Sequence, residues 1–239
     1  MRPTKKEVYE LLDVTSLSVT DTTTTITSLI KEINALIHIG FTPAAICVYP
    51  NFGHLVKHQL HESVKTAVVA GGFPASQSFL DVKLLECKKA IESRADEIDI
   101  VMNIGAFLEN DFSTVQHEIK QIKLLCTNTT LKVILETGVL SLNQITKAAK
   151  LAIDAGADFI KTSTGKVPIG ATIEAVKSMC HAIQSSPRKV GLKISGGVKT
   201  YDDALTYIEI VSEILGSEYI HPNTFRIGAS SLTKDLVQL

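Results

Sequence analysis

The feature that most constrains the fold is a regular alternation between short apolar segments and amphipathic ones. Between the apolar segments, apolar residues recur at helical spacing, most clearly in residues 26–37, 112–122 and 142–152. Strands that alternate with helices form a parallel sheet, and eight repeats favour a closed (β/α)8 barrel over an open sheet of about five or six strands. The eight strand-like segments read ELLDVTSL, AAICVYP, KTAVVAGGFP, EIDIVMNIG, KVILETG, DFIKTSTG, VGLKISGG and FRIGASS.

The composition indicates one enzyme-sized domain. We take residues 1–239 as a single barrel domain, because no Pro/Ser-rich or charge-rich linker divides them and such barrels have about 250 residues. The formal net charge of −1 provides no field for nucleic acid or an anionic membrane, so we expect neither as a partner. Any recognition of an anion must therefore be local.

The chain reads as a cytosolic protein with reduced thiols and no metal site. No signal peptide follows the first lysines, and no segment approaches about 20 uninterrupted apolar residues. The four cysteines lack CxxC or ligand-like spacing. His54, His58 and His61 fall on one helical face, but no carboxylate pattern accompanies them, so we expect a solvated face.

Two lysines occupy matching positions in the sixth and seventh strands. Lys161 in DFIKTSTGK and Lys193 in VGLKISGG each lie in mid-strand, before a glycine-containing loop. Strand residues alternate between faces, so both amines point into the barrel interior if the apolar side packs on helices. One such lysine could be an edge-strand residue that reaches water. The repetition favours a functional pair.

Polar residues of other strands share this interior. In EIDIVMNIGA, Asp99 alternates with isoleucines, which places a carboxylate where the two amines can pair with it. Asp13 and Thr15 have the same parity in LLDVTSL, and Cys47 has it in AICVYP. Structural interpretations remain open: an ion pair for Asp99, a solvated turn for Asp13 and a small core thiol for Cys47.

Three glycine-containing loops at strand ends are typical of phosphate sites. STGK (163–166), SGGVK (195–199) and GASS (228–231) each offer backbone N–H groups and hydroxyls before a helix begins. Barrel enzymes often hold a phosphate with the loops after the seventh and eighth strands, which are SGGVK and GASS. Lys166 and Lys199 add positive charge. Plain tight turns are the alternative.

The motifs DFIKTSTG, VGLKISGGV, EIDIVMNIGA, KVILETG and CVYP, in this order, closely resemble the 2-deoxyribose-5-phosphate aldolases, the class I enzymes of the DeoC group. The resemblance runs from LLDVTSL to GASS. It implies a (β/α)8 barrel that reversibly cleaves 2-deoxy-D-ribose 5-phosphate into acetaldehyde and D-glyceraldehyde 3-phosphate, in deoxyribose phosphate catabolism. It also implies no metal or organic cofactor, and leaves open whether the chain forms a homodimer.

The same resemblance implies roles for individual residues. Lys161 corresponds to the Schiff-base lysine, Lys193 to its activating partner and Asp99 to the proton-transfer carboxylate. The residues that would line the substrate pocket are Asp13, Thr15 and Cys47. The residues that would contact the phosphate and hydroxyls of the substrate are Gly165, Lys166, Gly196, Gly197, Gly228, Ser230 and Ser231.

Three places depart from the family pattern, and the first is the end of the third strand, AGGFPAS, where relatives usually have a shorter glycine turn. Lys199 stands where the family more often has arginine, and a lysine binds phosphate as a point charge rather than as a bidentate fork. The chain ends in KDLVQL, without the terminal tyrosine that some members have near the site. No tail residue therefore receives a role.

The chemistry of the two lysines agrees with this assignment. Bringing a lysine from a pKa of about 10.4 to about 7 requires roughly 4 to 5 kcal/mol of selective destabilisation of its cation. Adjacent strands lie about 4.8 Å apart, so Lys193 at the same height would supply much of this for Lys161 by repulsion. Two other functions remain: a transaldolase-like or other phosphosugar aldolase, and a non-catalytic phosphosugar-binding protein.

Overall fold

The computed structural model describes residues 2–237, and they form a closed barrel of eight parallel strands. Each strand pairs with its neighbours in sequence, and the eighth strand closes onto the first with Asp13 opposite Gly228. The strands coincide with the eight apolar segments, so the predicted (β/α)8 architecture is confirmed. Their bounds are β1 Leu12–Thr15, β2 Ala45–Val48, β3 Lys65–Ala70, β4 Glu97–Val101, β5 Thr130–Ile134, β6 Phe159–Lys161, β7 Gly191–Ser195 and β8 Phe225–Ala229.

Ten α-helices lie in the described part of the chain. Their bounds are α1 Lys5–Glu10, α2 Thr23–Ile37, α3 Gly53–Gln59, α4 Leu80–Glu92, α5 Ile104–Leu108, α6 Phe112–Leu125, α7 Leu142–Asp154, α8 Ile173–Gln184, α9 Tyr201–Leu215 and α10 Leu232–Val237. None of these helices has the length and hydropathy needed to cross a membrane. Of the C-terminal residues KDLVQL, the structure describes those up to Val237, and Gln238 and Leu239 lie outside the described residues.

Side-chain hydroxyls fix where several of these helices begin. The hydroxyls of Thr22, Ser141, Thr172 and Thr200 each accept a hydrogen bond from a backbone N–H in the first turn of the helix that follows. Because these caps lie on the loops that follow β1, β5, β6 and β7, they also fix the ends of the loops at the carboxyl side of the barrel.

The apolar side chains fall into two separate clusters. The larger one lies between the strands and the surrounding helices, and the buried stripe of α2 (Ile26, Ile30 and Ile33) belongs to it. The smaller one lies inside the barrel on the side of β2 and β3 and consists of Leu17, Ala45, Cys47, Ala67 and Val69. Each of the other six strands contributes a buried charged residue, so the interior is apolar on the side of β2 and β3 and ionic elsewhere.

Candidate active site

Lys161 and Lys193 lie side by side in the barrel interior. They are register partners on β6 and β7, and both side chains are buried. Their ammonium groups share one carboxylate oxygen: Asp99 Oδ2 accepts a hydrogen bond from Lys161 Nζ at 2.7 Å and from Lys193 Nζ at 2.8 Å. Lys193 Nζ also lies 2.5 Å from Asp13 Oδ2. The structure thus brings together the two lysines and the two aspartates that strand parity assigns to the interior.

A further set of buried charges extends this group into an ion network. Lys132 Nζ contacts Asp13 at 3.2 Å and Asp99 at 3.1 Å, and it also forms an ion pair with Glu97. Arg226 donates hydrogen bonds to Asp13 Oδ1 at 2.5 Å and to Glu97 Oε1 at 3.0 Å. All five side chains are buried. With the two lysines of β6 and β7, the network contains four cations and three carboxylates.

The environment separates the protonation states of the two predicted lysines. Burial is the first cause that lowers the pKa of Lys161, and the charge of Lys193 lowers it further against the opposing effect of Asp99. Burial would also lower the pKa of Lys193, but Asp13 and Asp99 outweigh it and raise that pKa above its ordinary value. Lys161 is therefore the amine prepared to lose its proton. Burial, rather than the repulsion from Lys193 expected from the sequence, is the main cause of the lowered pKa of Lys161.

The acidic groups respond in the opposite sense. Burial opposes the ionisation of Asp13 and Asp99, but the surrounding cations hold the pKa of both carboxyls well below its usual range. Both aspartates are therefore ionised at neutral pH. Burial raises the pKa of the Cys47 thiol, which stays protonated and behaves as a small apolar group.

A cavity of about 410 Å³ opens at the carboxyl ends of the strands, above the ion network. This volume lies within the range of about 300 to 1,000 Å³ that is usual for small-molecule sites. Lys161 is the member of the ion network that lines it, and the walls come from the loops that follow β1, β6, β7 and β8. The other predicted residues that line the cavity are Thr15, Gly165, Lys166, Gly196, Gly197, Lys199, Gly228, Ser230 and Ser231.

Asp13 and Cys47 do not line this cavity, contrary to the expectation from the sequence. Both side chains are fully buried. Strand parity correctly places Asp13 inside the barrel, but its carboxylate is enclosed by Lys193 and Arg226. Cys47 belongs to the apolar interior cluster. Parity gives the face on which a side chain lies but not its depth along the barrel axis, which explains the error.

Backbone N–H groups form part of the cavity wall. Gly196 and Gly197 have φ angles of +84° and +97°, a region that favours glycine. Within residues 2–237 their N–H groups donate to no acceptor, so they are available to an anion. The neighbouring loop packs tightly here: Ala171 N donates to Gly196 O at 2.9 Å, and a Cβ atom on Gly170 would lie 2.2 Å from that oxygen.

The two predicted phosphate lysines differ in their contacts. Lys166 crosses the mouth of the cavity and donates a hydrogen bond to the carbonyl oxygen of Leu17, which also accepts one from Tyr49 Oη at 3.3 Å. Lys166 therefore connects the loops that follow β6 and β1. Lys199 is exposed at the rim, and its backbone N–H donates to Asp203 at 3.0 Å.

Sequence reasoning missed four charged residues of this region. Lys132, Glu97 and Arg226 show the same pattern as Lys161 and Lys193. Each is a charged residue at a position of an apolar strand whose side chain points into the barrel. Glu136 is buried in a left-handed conformation with φ of +55° and accepts hydrogen bonds from both the N–H, at 3.1 Å, and the hydroxyl of Thr164. It anchors the loop that follows β6, and its local sequence resembles an ordinary turn.

The three histidines lie away from the cavity. His54 and His58 stack with ring centroids 4.1 Å apart on the exposed side of α3, and His61 contacts Ser63. Among residues 2–237, no three histidine, cysteine or carboxylate side chains lie close enough to hold a metal ion.

The profile of the DeoC/LacD family aldolases matches residues 9–234. The chain belongs to the DeoC/LacD aldolase family. Family membership confirms the resemblance carried by the lysine motifs, and it makes the chain an aldolase, a carbon–carbon lyase. A solely phosphosugar-binding protein, one of the alternatives left by the sequence, is thereby disfavoured.

Relatives of this DeoC/LacD aldolase match it over nearly its whole length. A Caenorhabditis elegans protein provisionally named deoxyribose-phosphate aldolase is 40% identical over 247 residues, which cover 98% of this chain and 80% of the relative. The crystal structure of a Coccidioides immitis protein with the same provisional name has a TM-score of 0.87 at 30% identity, covering 99% and 87%. A deoxyribose phosphate aldolase from Aeropyrum pernix, described as tetrameric, has a TM-score of 0.77 at 27% identity, covering 98% and 91%.

Proposed function

We propose that this DeoC/LacD aldolase reversibly cleaves 2-deoxy-D-ribose 5-phosphate to acetaldehyde and D-glyceraldehyde 3-phosphate through a Schiff base on Lys161. The observation that carries the proposal is the position of Lys161, a buried amine with a lowered pKa on the floor of a cavity whose wall offers free N–H groups. The names of the relatives point to the same substrate.

The first step requires a neutral amine. Neutral Lys161 adds to the C1 aldehyde of the open-chain sugar, and loss of water from the carbinolamine gives a protonated imine. The imine draws electrons from the C2–C3 bond. When a base removes the proton of the C3 hydroxyl, that bond breaks, C3 becomes the aldehyde of glyceraldehyde 3-phosphate, and C2 becomes the terminal carbon of an enamine.

Asp99 and Lys193 would manage the protons of this sequence. Asp99 Oδ2 lies 2.7 Å from the reacting nitrogen, so it can take up and return protons at that nitrogen directly or through a water molecule. Lys193 stays an ammonium, which disfavours a second positive charge on Lys161 before attack. Protonation of the enamine at C2 and hydrolysis of the resulting imine then release acetaldehyde and restore the amine.

The loops that follow β7 and β8 would hold the substrate phosphate. The N–H groups of Gly196 and Gly197 are unpaired within the described chain, and the hydroxyls of Ser230 and Ser231 line the same wall. Lys199 supplies a charge at the rim. Lys161 lies on the floor below, so a phosphorylated sugar that binds these loops would extend its aldehyde toward the amine.

The experiment that tests this function is trapping of the imine. Incubation with acetaldehyde and cyanoborohydride should add one ethyl group, which peptide mapping should locate on Lys161, because only a deprotonated amine condenses to a reducible imine. Lys161→Met should remove the label and leave the fold intact. Turnover should be measured with 2-deoxyribose 5-phosphate and with a longer phosphosugar, so that another aldolase specificity would be detected.

Three results would contradict parts of the proposal. Modification of Lys193 alone would reverse the roles of the two lysines. Protein that cleaves the substrate without forming a reducible imine would remove the Schiff-base mechanism. Cleavage of the longer phosphosugar in preference to 2-deoxyribose 5-phosphate would keep the mechanism but replace the substrate.

A further inference from the structure

The cations of the ion network differ in how many carboxylates hold them. Among residues 2–237, Lys132 contacts three carboxylates, Lys193 and Arg226 contact two each, and Lys161 contacts that of Asp99 alone. The network has four cations and three carboxylates, so it carries one excess positive charge when every group is ionised. Burial of an uncompensated charge is costly. Release of the proton from Lys161 removes the excess charge and gives up only one ion pair, fewer than the loss of any other cation would.

Two members of the network lie outside the reach of a substrate. Glu97 and Arg226 are buried, contact each other at 3.0 Å, and do not line the cavity. Both lie near the amino ends of β4 and β8, whereas the cavity opens at the carboxyl ends. Their charges reach the reacting amine through Lys132 and Asp13, which contact Asp99 and Lys193.

We infer that Glu97 and Arg226 are positioning residues of the aldolase, because their opposite charges set the charge balance that decides whether Lys161 keeps its proton. This inference rests on the proposed function. Removing the carboxylate of Glu97 would leave the network with two excess positive charges and make a protonated Lys161 less favourable. Removing the guanidinium of Arg226 would leave no excess charge, so Lys161 would keep its proton to higher pH.

The strands of the barrel differ in the charge that they contribute near Lys161. β3 contributes only the apolar Ala67 and Val69 to the interior. Asp99 of β4, Lys193 of β7 and Cys47 of β2 are the nearest titratable groups to Lys161, and the charged groups of the interior beyond them are Asp13 of β1, Glu97 of β4, Lys132 of β5 and Arg226 of β8.

A purely structural ion pair is the competing explanation, and it makes a different prediction. Such a pair would contribute to stability, and its loss would lower the amount of folded enzyme. The pH at which Lys161 loses its proton would not move down in one variant and up in the other. The test is the pH dependence of ethylation of Lys161 by acetaldehyde and cyanoborohydride, followed by intact mass and peptide mapping. This readout follows the amine itself and is independent of overall turnover.

Glu97→Gln should shift the midpoint of this pH profile to lower pH, and Arg226→Gln should shift it to higher pH. Each shift should be about one pH unit, a tenfold change in proton affinity. Arg226→Lys and Glu97→Asp keep the charges and should stay near the wild-type midpoint. The double variant Glu97→Gln/Arg226→Gln restores the original one excess positive charge of the network, so its midpoint should return toward that of the wild type.

Each single variant has a predicted direction of its midpoint shift, so one variant that folds is enough to test the inference. Circular dichroism checks the folding. Unmoved midpoints, or shifts in the same direction for both variants, would overturn the inference. A wild-type protein without label on Lys161 would remove the proposed function itself. A labelled wild type with unmoved variant midpoints would remove only the role of Glu97 and Arg226.

Discussion

At the scale of single residues, a shared oxygen distinguishes the two lysines. Asp99 Oδ2 accepts hydrogen bonds from both, but Lys193 has a second carboxylate in Asp13, whereas Lys161 has no second one in the described part of the chain. Identical side chains on adjacent strands therefore have opposite pKa shifts. The difference arises from the number of carboxylates within reach of each nitrogen, since both side chains are buried.

The first prediction concerns Lys193→Leu. Loss of this ammonium removes a like charge beside Lys161 and leaves three cations with three carboxylates, so the pKa of Lys161 should rise toward its ordinary value of about 10.4. Activity at neutral pH should fall at least roughly tenfold for each unit of this rise and should recover partly as the pH increases. Single-turnover imine formation across pH measures this. An unchanged profile with lower amplitude would assign Lys193 to substrate positioning or proton transfer.

The residues of the site were predictable only in part. Alternation of faces suffices to place Lys161, Lys193 and Asp99 inside the barrel, because a side chain in a strand has only two directions. The contact between Asp99 and Lys132 depends on the register between β4 and β5, which one strand's sequence does not contain. Parity would equally have placed Lys132, Glu97 and Arg226 inside the barrel, but which of these charges contact one another depends on the register between strands.

At the scale of elements, the loops that follow β6 and β7 form one packed unit. The hydroxyl of Thr162 donates to Ser195 O at 2.9 Å, and the Ser195 hydroxyl donates to Ser163 O at 2.6 Å. Gly170 lies against the backbone of Gly196, where a side chain has no space. The position of the loop that carries the free N–H groups therefore depends on its neighbour.

The second prediction concerns Gly170→Ala. Its Cβ atom would lie 2.2 Å from Gly196 O and 2.7 Å from Gly196 Cα, and this backbone cannot turn aside as a side-chain end could. The shift should raise KM for 2-deoxyribose 5-phosphate about tenfold and change the kinetics with unphosphorylated deoxyribose less. Gly105→Ala is the matched control, because the nearest atom would lie at 3.7 Å. Equal losses with both substrates would contradict a role in phosphate binding.

The third prediction concerns Ser230→Asp on the loop that follows β8. A carboxylate on the cavity wall would repel the substrate phosphate, so the ratio of kcat/KM for phosphorylated over free deoxyribose should fall at least about tenfold. Ser230→Asn has similar size without charge and should change this ratio little. If the ratio is the same in both variants, GASS is a fold element rather than part of the phosphate site.

At the scale of the whole molecule, the barrel surrounds charge with apolar packing. The larger hydrophobic cluster lies outside the strands, and the ion network lies inside them. Alternation of strands and helices was sufficient to predict this architecture, because seven crossover connections between eight parallel strands leave few other arrangements. The division of the interior into an apolar side at β2 and β3 and an ionic side at the other six strands depends on strand neighbours and was not apparent from the sequence.

The fourth prediction follows from the excess charge. Because the pKa of Lys161 is lower in the folded state than in the unfolded chain, the unfolded chain binds more protons, and stability is reduced below the folded-state pKa and recovers as the pH rises toward about 10.4. Lys161→Met should therefore stabilise the protein by roughly 1 to 3 kcal/mol at neutral pH, with a smaller gain at higher pH.

Thermal unfolding at several pH values measures this gain, which corresponds to about 2 to 4 °C in Tm for each kcal/mol in a chain of this size. Lys88→Met replaces an exposed lysine of α4 and should show no such dependence on pH. A Lys161→Met protein that is less stable than wild type at neutral pH would show that the ammonium of Lys161 is a net stabilising partner of Asp99.

The division of the barrel interior has a stereochemical consequence for the proposed reaction. A planar enamine held on Lys161 would have the apolar cluster of β2 and β3 on one side and the ionic side chains on the other. The loops after β7 and β8 would hold the incoming aldehyde by its phosphate and allow its carbonyl to approach from one direction only. Carbon–carbon bond formation would then give a single configuration at the new hydroxyl-bearing carbon. The order of the strands around the barrel would determine that configuration.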